Sequence, residues 1–182
     1  MINDKGFLLE ARQLFSPNKS ARPQDVAIDL LVIHGISLPP GQFGGGYVQK
    51  LFTNQLPMGE HSSFIDLKSV QVSSHLLIER IGQVTQFVSF LERAWHAGES
   101  MFGGRKDCND FSIGIELEGT DYVPYASEQY QVLADVTHHI MKAYPQITLD
   151  HIVGHSDIAP GRKTDPGPRF DWKHYRNLLN KL

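Results

Sequence analysis

The sequence predicts an α+β fold, in which a single domain contains a mixed central β-sheet flanked by helices. Three observations predict it: a continuous apolar run at 26–33, an alternating run at 111–117 and a helical apolar repeat at 127–144. A continuous apolar run indicates a strand covered on both faces, and alternation indicates a strand with two different faces. Because strand and helix patterns alternate irregularly, a mixed sheet with helices on its faces is the most economical arrangement.

Length and composition limit the classes of protein. The 182 residues fit one domain, 1–182, and Cys108, the only cysteine, permits no internal disulfide. Residues 1–10 lack an apolar core of signal-peptide length, and no stretch reaches the roughly 18 apolar residues of a membrane span. A net charge of -3 provides no field that would capture polyanions. We therefore expect a cytoplasmic protein with no membrane span, no nucleic-acid partner and no obligate protein partner.

The first elements are defined by apolar runs and turn residues. The mixed, polar segment 1–25 predicts an arm packed on the domain surface. The run 26–33 predicts the first core strand, with His34 at its carboxyl end, where sites in open sheets commonly lie. Prolines and glycines between 39 and 46 then predict a loop, and a short helix follows at 47–52.

The middle of the chain is rich in strand formers. Segments 75–80 and 84–88 are separated by a glycine-containing turn, which predicts a hairpin. The next predicted strand, 111–117, alternates cleanly, so its odd positions are expected in the core and its even positions, including Glu116, on a more polar face. The odd positions are Phe111, Ile113, Ile115 and Leu117.

The last third predicts two helices and one strand. Apolar residues recur at helical spacing from 127 to 144, after Ser127 as the N-cap and before Pro145. This pattern predicts a helix packed on the core. Segment 147–153 predicts a further strand, and 172–179 predicts an amphipathic closing helix.

Three ligand-type side chains lie beside these elements. His34 follows the first core strand, and His155 and Asp165 flank a turn rich in proline and glycine. Two imidazole nitrogens and one carboxylate oxygen suit Zn²⁺, and three protein ligands leave a fourth tetrahedral position for water, which is typical of hydrolysis. His151 has the spacing of a helical zinc pair with His155, but the strand-like residues before Gly154 make it the weaker candidate.

Four other side chains are candidates for chemistry. Glu116 is expected to be a general base, because Gly114 on the same face leaves room for water or substrate. Lys163, close to a proposed ligand, is either a surface lysine or a cation that stabilises an oxyanion. Trp95 either packs under its loop or holds a sugar ring or peptide. A nucleophilic Cys108 is less favoured, because flanking acidic residues oppose thiolate formation.

Matching blocks of sequence run from about residue 11 to residue 179 and support a family resemblance. They include Leu31–His34 with Ser37–Gly41, Val72–His75, Ala94–Gly98, Cys108–Asp121 and Gly154–Pro168. On these blocks the chain resembles the zinc N-acetylmuramoyl-L-alanine amidases related to peptidoglycan recognition proteins. The most similar branch is the bacterial cytosolic one that acts on 1,6-anhydro-N-acetylmuramyl peptides.

The resemblance implies a site and a reaction. Zinc would be held by His34, His155 and Asp165, with Glu116 as acid/base and Lys163 as transition-state stabiliser. The substrate would be an anhydromuramyl peptide, cleaved between its lactyl group and L-alanine during peptidoglycan recycling. Two alternatives remain open, namely a non-catalytic muropeptide-binding or sensor protein and a cysteine hydrolase. Turnover measured with and without a chelator separates all three.

The chain departs from the family pattern at positions that concern specificity. The family has an asparagine, an aromatic residue and two arginines where this chain has Gly35, Ser63, Gln71 and Asp107. Loss of two arginines would remove donors that pair with anionic groups of the substrate. The neighbouring Arg105 and Lys106 are expected to substitute in part. The strength of any preference for anhydro over ordinary muramyl peptides is left open by these departures.

Overall fold

A computed structural model describes every residue from Met1 to Leu182. The strands are β1 Arg12–Gln13, β2 Lys19–Ala21, β3 Leu30–Ile36, β4 Leu76–Ile78, β5 Val84–Gln86, β6 Glu92–Ala94, β7 Met101–Phe102, β8 Arg105–Lys106, β9 Ser112–Glu118 and β10 Ile152–Gly154. The α-helices are α1 Tyr47–Phe52, α2 Ser127–Ala143, α3 His155–Ile158 and α4 Trp172–Leu179. Short 3-10 turns lie at Ser62–Leu67, Cys108–Asp110 and Leu149–His151.

Six strands form the central sheet, in the order β1-β5-β4-β9-β3-β10. All neighbouring strands are parallel except β4 and β5, which form the predicted antiparallel hairpin with Gly82 at φ +79° in its turn. Two small antiparallel ribbons, β2 with β6 and β7 with β8, lie outside this sheet. The predicted α+β fold with a mixed sheet flanked by helices is confirmed.

The two central strands, β3 and β9, are paired along their full length. The predicted strand 26–33 begins too early, because residues 26–29 are wholly or partly exposed and belong to no strand. Pairing with β9 instead extends β3 through His34 as far as Ile36. His34 therefore lies inside the strand rather than at its end, directly beside Glu116.

The two faces of the sheet carry different cores. On one face, α2 and α4 cover a core that contains Leu31, Ile33, Ile113, Ile115 and Leu117. Smaller apolar clusters on the other face include residues of α1 and α3. Phe111 was predicted to join the first face, but it precedes β9 and lies in the cluster with Ile158 of α3. Because side chains alternate along a strand, His34 and Glu116 point to this second face.

The predicted helices at 47–52, 127–144 and 172–179 are confirmed as α1, α2 and α4. The predicted cap is wrong, since Ser127 is the first helical residue and Ala126 occupies the N-cap position. The side chain of Gln129 reaches back to this cap, where its Oε1 accepts the amide of Ala126 at 3.0 Å. α2 and α4 are joined by a hydrogen bond of 2.7 Å between the hydroxyls of Thr137 and Tyr175.

The predicted strand at 147–153 is mostly wrong. Residues 149–151 form a 3-10 turn, and only Ile152–Gly154 pairs with β3. The turn is held because Nδ1 of His151 donates to the carbonyl of Asp29 at 2.6 Å, at the start of β3. This contact uses the His151 ring for structure and leaves His155 as the first residue of α3.

The N-terminal 25 residues contribute to the sheet edge and to the core. β1 extends the central sheet beside β5, β2 pairs with β6, and Leu8 is buried in the main core. The guanidinium of Arg22 donates to the carbonyls of Phe90 and Ser112, at 3.1 and 2.8 Å, which ties the arm to β9. None of the helices combines the length and the apolar character that crossing a bilayer requires.

Candidate metal centre

The predicted ligand atoms of His34, His155 and Asp165 converge. Nδ1 of His34 lies 3.0 Å from Nδ1 of His155, and Oδ2 of Asp165 lies 3.2 Å and 3.0 Å from these two nitrogens. Parallel pairing of β3 and β10, with Ile33 beside Gly154, places the two histidines next to each other. The carbonyl of Asp165 accepts the amide of Ser156 at 2.9 Å, which closes the loop and brings the carboxylate back to α3.

The three ligand atoms fit a metal ion. In a tetrahedral zinc site with bonds of about 2.0 Å, ligand atoms stand about 3.3 Å apart, close to the 3.0–3.2 Å found here. Nε2 of His155 donates to the carbonyl of Ala97 at 3.0 Å, so a neutral ring has only a lone pair on Nδ1. Burial lowers the pKa of His34 to about 4, which favours the neutral form of its ring. Two imidazole nitrogens and one carboxylate oxygen suit Zn²⁺ and leave a fourth position open.

Glu116 stands beside this cluster. Its Oε1 lies 4.0 Å from Nδ1 of His34, and its Oε2 is buried without any hydrogen-bond partner. Burial and the charge of Asp165 raise the pKa of Glu116 well above its usual value, while the charge of Lys163 opposes the shift. A carboxyl group with a raised pKa and a free oxygen is suited to exchange a proton with a bound molecule.

Lys163 and Trp95 differ in their relation to the cluster. Lys163 is exposed, and its ammonium forms no hydrogen bond or salt bridge, although its charge affects the pKa of His34 and of Glu116. Trp95 is half-buried, and its indole Nε1 donates to Oγ of Ser20 in the N-terminal arm at 3.2 Å. The structure thus places Lys163 near the cluster and gives Trp95 a partner elsewhere, so a substrate contact of Trp95 stays a prediction.

Sequence reasoning missed His96. This buried residue lies with Nδ1 2.9 Å from Nε2 of His34 and with Nε2 3.1 Å from Oγ of Ser112. Burial and the charges of neighbouring histidines lower the pKa of His96 well below its usual value, so it is neutral. The expected open space beside Gly114 is also wrong, because a Cβ there would lie 2.5 Å from the His96 ring. The only sequence signal was the position of His96 inside a family block.

Asp107 and Gln71, two of the departures from the family pattern, lie in separate places. Asp107 and Lys106 line a cavity of about 460 Å³ beside α3, whereas Gln71 lines another cavity of about 150 Å³. The guanidinium of Arg105 donates to both carboxylate oxygens of Asp29 at 2.8 Å, whereas Lys106 lines the cavity together with Asp107. Partial substitution for the missing arginines by Arg105 and Lys106 stays a prediction.

The other two departures from the family pattern, Gly35 and Ser63, lie in a strand and in a 3-10 turn. Gly35 follows His34 in β3, and a Cβ there would overlap the hydroxyl of Tyr125. A larger side chain at this position therefore requires Tyr125 to move. Ser63 lies in a 3-10 turn, where its hydroxyl is 2.8 Å from Nδ1 of His61.

A mixed sheet that brings three metal-ligand side chains and a buried glutamate to one face has the features of a hydrolytic enzyme with a metal centre. Comparisons with known proteins define the class further. A family model described as N-acetylmuramoyl-L-alanine amidase matches residues 24–168. The 1,6-anhydro-N-acetylmuramyl-L-alanine amidase AmpD of Salmonella typhimurium (strain SL1344) is 52% identical over 179 residues, which are 98% of this chain and 95% of that protein.

Solved structures agree with this match. A crystal structure of a selenomethionine derivative of AmpD has a TM-score of 0.95 and 51% identity, and the match covers 98% of this chain and 99% of that one. A complex of the Escherichia coli amidase AmiD with the substrate anhydro-N-acetylmuramic acid-L-Ala-D-γ-Glu-L-Lys has a TM-score of 0.63 and 29% identity. It covers 97% of this chain and 65% of the AmiD chain. The chain belongs to the N-acetylmuramoyl-L-alanine amidase family.

Proposed function

We propose that this chain is a zinc-dependent amidase that hydrolyses the amide between the lactyl group of anhydro-N-acetylmuramic acid and L-alanine in muropeptides, during peptidoglycan recycling. The observation that carries the proposal is the convergence of three ligand atoms, 3.0–3.2 Å apart, beside a buried glutamate with an unpartnered oxygen. A full-length relative named for this reaction and the AmiD complex with an anhydromuramyl tripeptide support the choice of substrate.

In this proposal His34, His155 and Asp165 hold the ion. When bound there, Zn²⁺ acidifies water and polarises a carbonyl oxygen. Glu116 accepts the proton of the attacking water at its unpartnered Oε2. Because its pKa is raised by burial, the protonated carboxyl can then pass the proton to the alanine nitrogen as the C–N bond breaks.

Lys163 supplies positive charge from the loop that carries Asp165. Its ammonium has no protein partner, so it is free to approach a substrate oxygen. The amide carbonyl oxygen becomes negative as water adds to the carbon, and a fixed cation stabilises that charge more than it stabilises the neutral amide. Lys163 is therefore proposed as the transition-state stabiliser.

The experiment compares zinc content with turnover of anhydromuramyl tripeptide. His155→Ala and Asp165→Ala should each lose zinc, because two protein ligands bind far more weakly than three. Glu116→Gln should keep zinc and lose at least about 10²-fold in turnover, the usual size of a general-base effect. His151→Ala is the matched control, since that ring bonds the Asp29 carbonyl and should not affect zinc content.

Three results would contradict the proposal. Full zinc occupancy in the ligand variants would remove those residues from the site, and loss of zinc from Glu116→Gln would make Glu116 a ligand. Binding of muropeptide and zinc without turnover would favour the sensor alternative. The cysteine hydrolase alternative is disfavoured because Cys108 is buried, and that burial raises the pKa of its thiol. The proposed cytoplasmic location is tested separately by cell fractionation.

A further inference from the structure

His96 is a buried histidine that no step of the proposed reaction uses. It follows β6 and stands edge-on to His34, with ring centroids 5.0 Å apart and an interplanar angle of 88°. Each ring nitrogen has one polar neighbour, Nε2 of His34 at 2.9 Å and Oγ of Ser112 at 3.1 Å. The residue therefore connects a proposed metal ligand to the side chain of Ser112 in β9.

The protons along this connection have one consistent arrangement. The carbonyl of Cys108 can only accept, and Oγ of Ser112 lies 2.6 Å from it, so the serine hydroxyl donates there. Ser112 must then accept from Nε2–H of His96. A ring that carries its single proton on Nε2 accepts at Nδ1, so Nδ1 of His96 takes the proton of Nε2–H of His34. The remaining lone pair of a neutral His34 is on Nδ1, the atom that faces the ligand cluster.

Ala97, the residue after His96, accepts the outer N–H of the second histidine ligand, His155. The carbonyl of Ala97 accepts from Nε2 of His155 at 3.0 Å. Both backbone amides of the pair His96–Ala97 donate to Oδ1 of Asn109, at 3.1 and 2.8 Å. One anchored dipeptide thus contacts the outer nitrogen of both histidine ligands. Gly114 makes the arrangement possible, since any side chain there would meet the His96 ring.

We propose that His96 is a positioning residue for the metal centre, which holds the ring of His34 and keeps its proton on Nε2 so that Nδ1 binds the metal. This inference rests on the proposed function, because it takes His34 as a ligand. Histidine ligands generally donate their outer N–H to a carboxylate, a carbonyl or water, and loss of that acceptor weakens metal binding. Here an imidazole nitrogen takes that place, and it adds no negative charge to the site.

The first test measures zinc affinity by competition with a chelator, independently of activity. His96→Phe keeps an aromatic ring but removes the acceptor, and we expect the zinc Kd to rise about 10- to 100-fold. His96→Asn can place a carbonyl oxygen near the position of Nδ1 and should recover most of the affinity. His75→Phe is the matched control, because His75 is buried just before β4 and its ring bonds the Gly114 amide and the Glu92 carbonyl rather than a ligand.

An unchanged Kd in His96→Phe would overturn the inference. Equal losses in His96→Phe and His96→Asn would also overturn it, because packing rather than the acceptor would then be responsible. If wild-type protein binds no zinc, the proposed function fails together with this inference. If wild type and His96→Phe bind zinc equally well, only the inference fails.

A second test reads the proton positions in the wild-type protein and uses variants only to assign the signals. Nitrogen-15 NMR of the zinc-loaded wild-type protein reports which ring nitrogen of each histidine carries the proton. We expect His34 and His96 both to be protonated on Nε2, with signals assigned by comparison with His34→Asn and His96→Asn. A proton on Nδ1 of His34 would contradict the deduced arrangement, whatever the zinc affinities are.

Discussion

A tyrosine between two glycines of neighbouring strands provides a quantitative test of packing beside the metal site. Tyr125 packs against Gly35 and Gly119, and its hydroxyl donates at 2.8 Å to the carbonyl of Pro166, the residue after Asp165. A Cβ added at Gly35 would overlap the hydroxyl oxygen but would stand 3.5 Å from the ring carbon Cζ, an ordinary contact. The expected clash therefore depends on the hydroxyl alone.

The free energies of unfolding follow from this geometry. Gly35→Ala overpacks a filled site and should cost about 1–3 kcal/mol. Tyr125→Phe removes one buried hydrogen bond and should also cost about 1–3 kcal/mol, because the Pro166 carbonyl loses its partner. In the Tyr125→Phe background the clash is gone, and Gly35→Ala should be neutral or gain up to about 1 kcal/mol from reduced freedom of the unfolded chain. The two substitutions should therefore couple by at least about 1 kcal/mol.

Urea denaturation of wild type, both single variants and the double variant measures this coupling, with chelator present so that zinc binding does not contribute. Gly59→Ala is the matched control, because a Cβ there meets no atom within 4 Å and should add independently to Tyr125→Phe. Additive costs for Gly35→Ala and Tyr125→Phe would refute the reasoning. The cost of a side chain at Gly35 would then come from a contact other than the Tyr125 hydroxyl, and the departure from the family pattern would not depend on Tyr125.

Three further substitutions test the site. Gly114→Ala should displace the His96 ring and raise the zinc Kd about tenfold or more, and unchanged affinity in a chelator competition would contradict this. Cys108→Ser should keep near-native turnover and lose about 1–3 kcal/mol in urea denaturation, because a hydroxyl replaces a buried thiol; a folded but inactive variant would revive the thiol mechanism. Asp107→Arg should lower KM for anhydromuramyl tripeptide more than it changes kcat, and an unchanged KM would mean that residue 107 does not face the substrate.

The sequence predicted element types better than element ends, for a physical reason. The apolar run before His34 predicts a strand correctly, but its limits depend on which residues find partners in β9, about 80 positions later. Likewise, Ser127 has the usual N-cap chemistry, yet the side chain of Gln129 satisfies the amide of Ala126 and moves the start of the helix. Local sequence patterns indicate whether a segment prefers helix or strand. The residues at which the element begins and ends are set by contacts with distant segments.

Sequence reasoning was limited in the same way at the candidate metal centre. The proximity of His34, His155 and Asp165 was expected from ligand type and family blocks, and the structure brings them together. Gly114 was interpreted from its own strand as open space beside Glu116, but a ring from another segment occupies that space.

Two buried histidines explain why the role of His96 could not be read from the sequence. His75 and His96 lie with ring centroids 5.8 Å apart, and each has hydrogen-bond partners at both ring nitrogens. Both therefore satisfy the usual description of a structural core histidine. The difference that matters is at Nδ1, where His75 accepts a backbone amide and His96 accepts Nε2–H of His34, a proposed metal ligand. The proposed positioning role of His96 therefore depends on which atom its ring contacts. Residue type and burial do not distinguish His96 from His75.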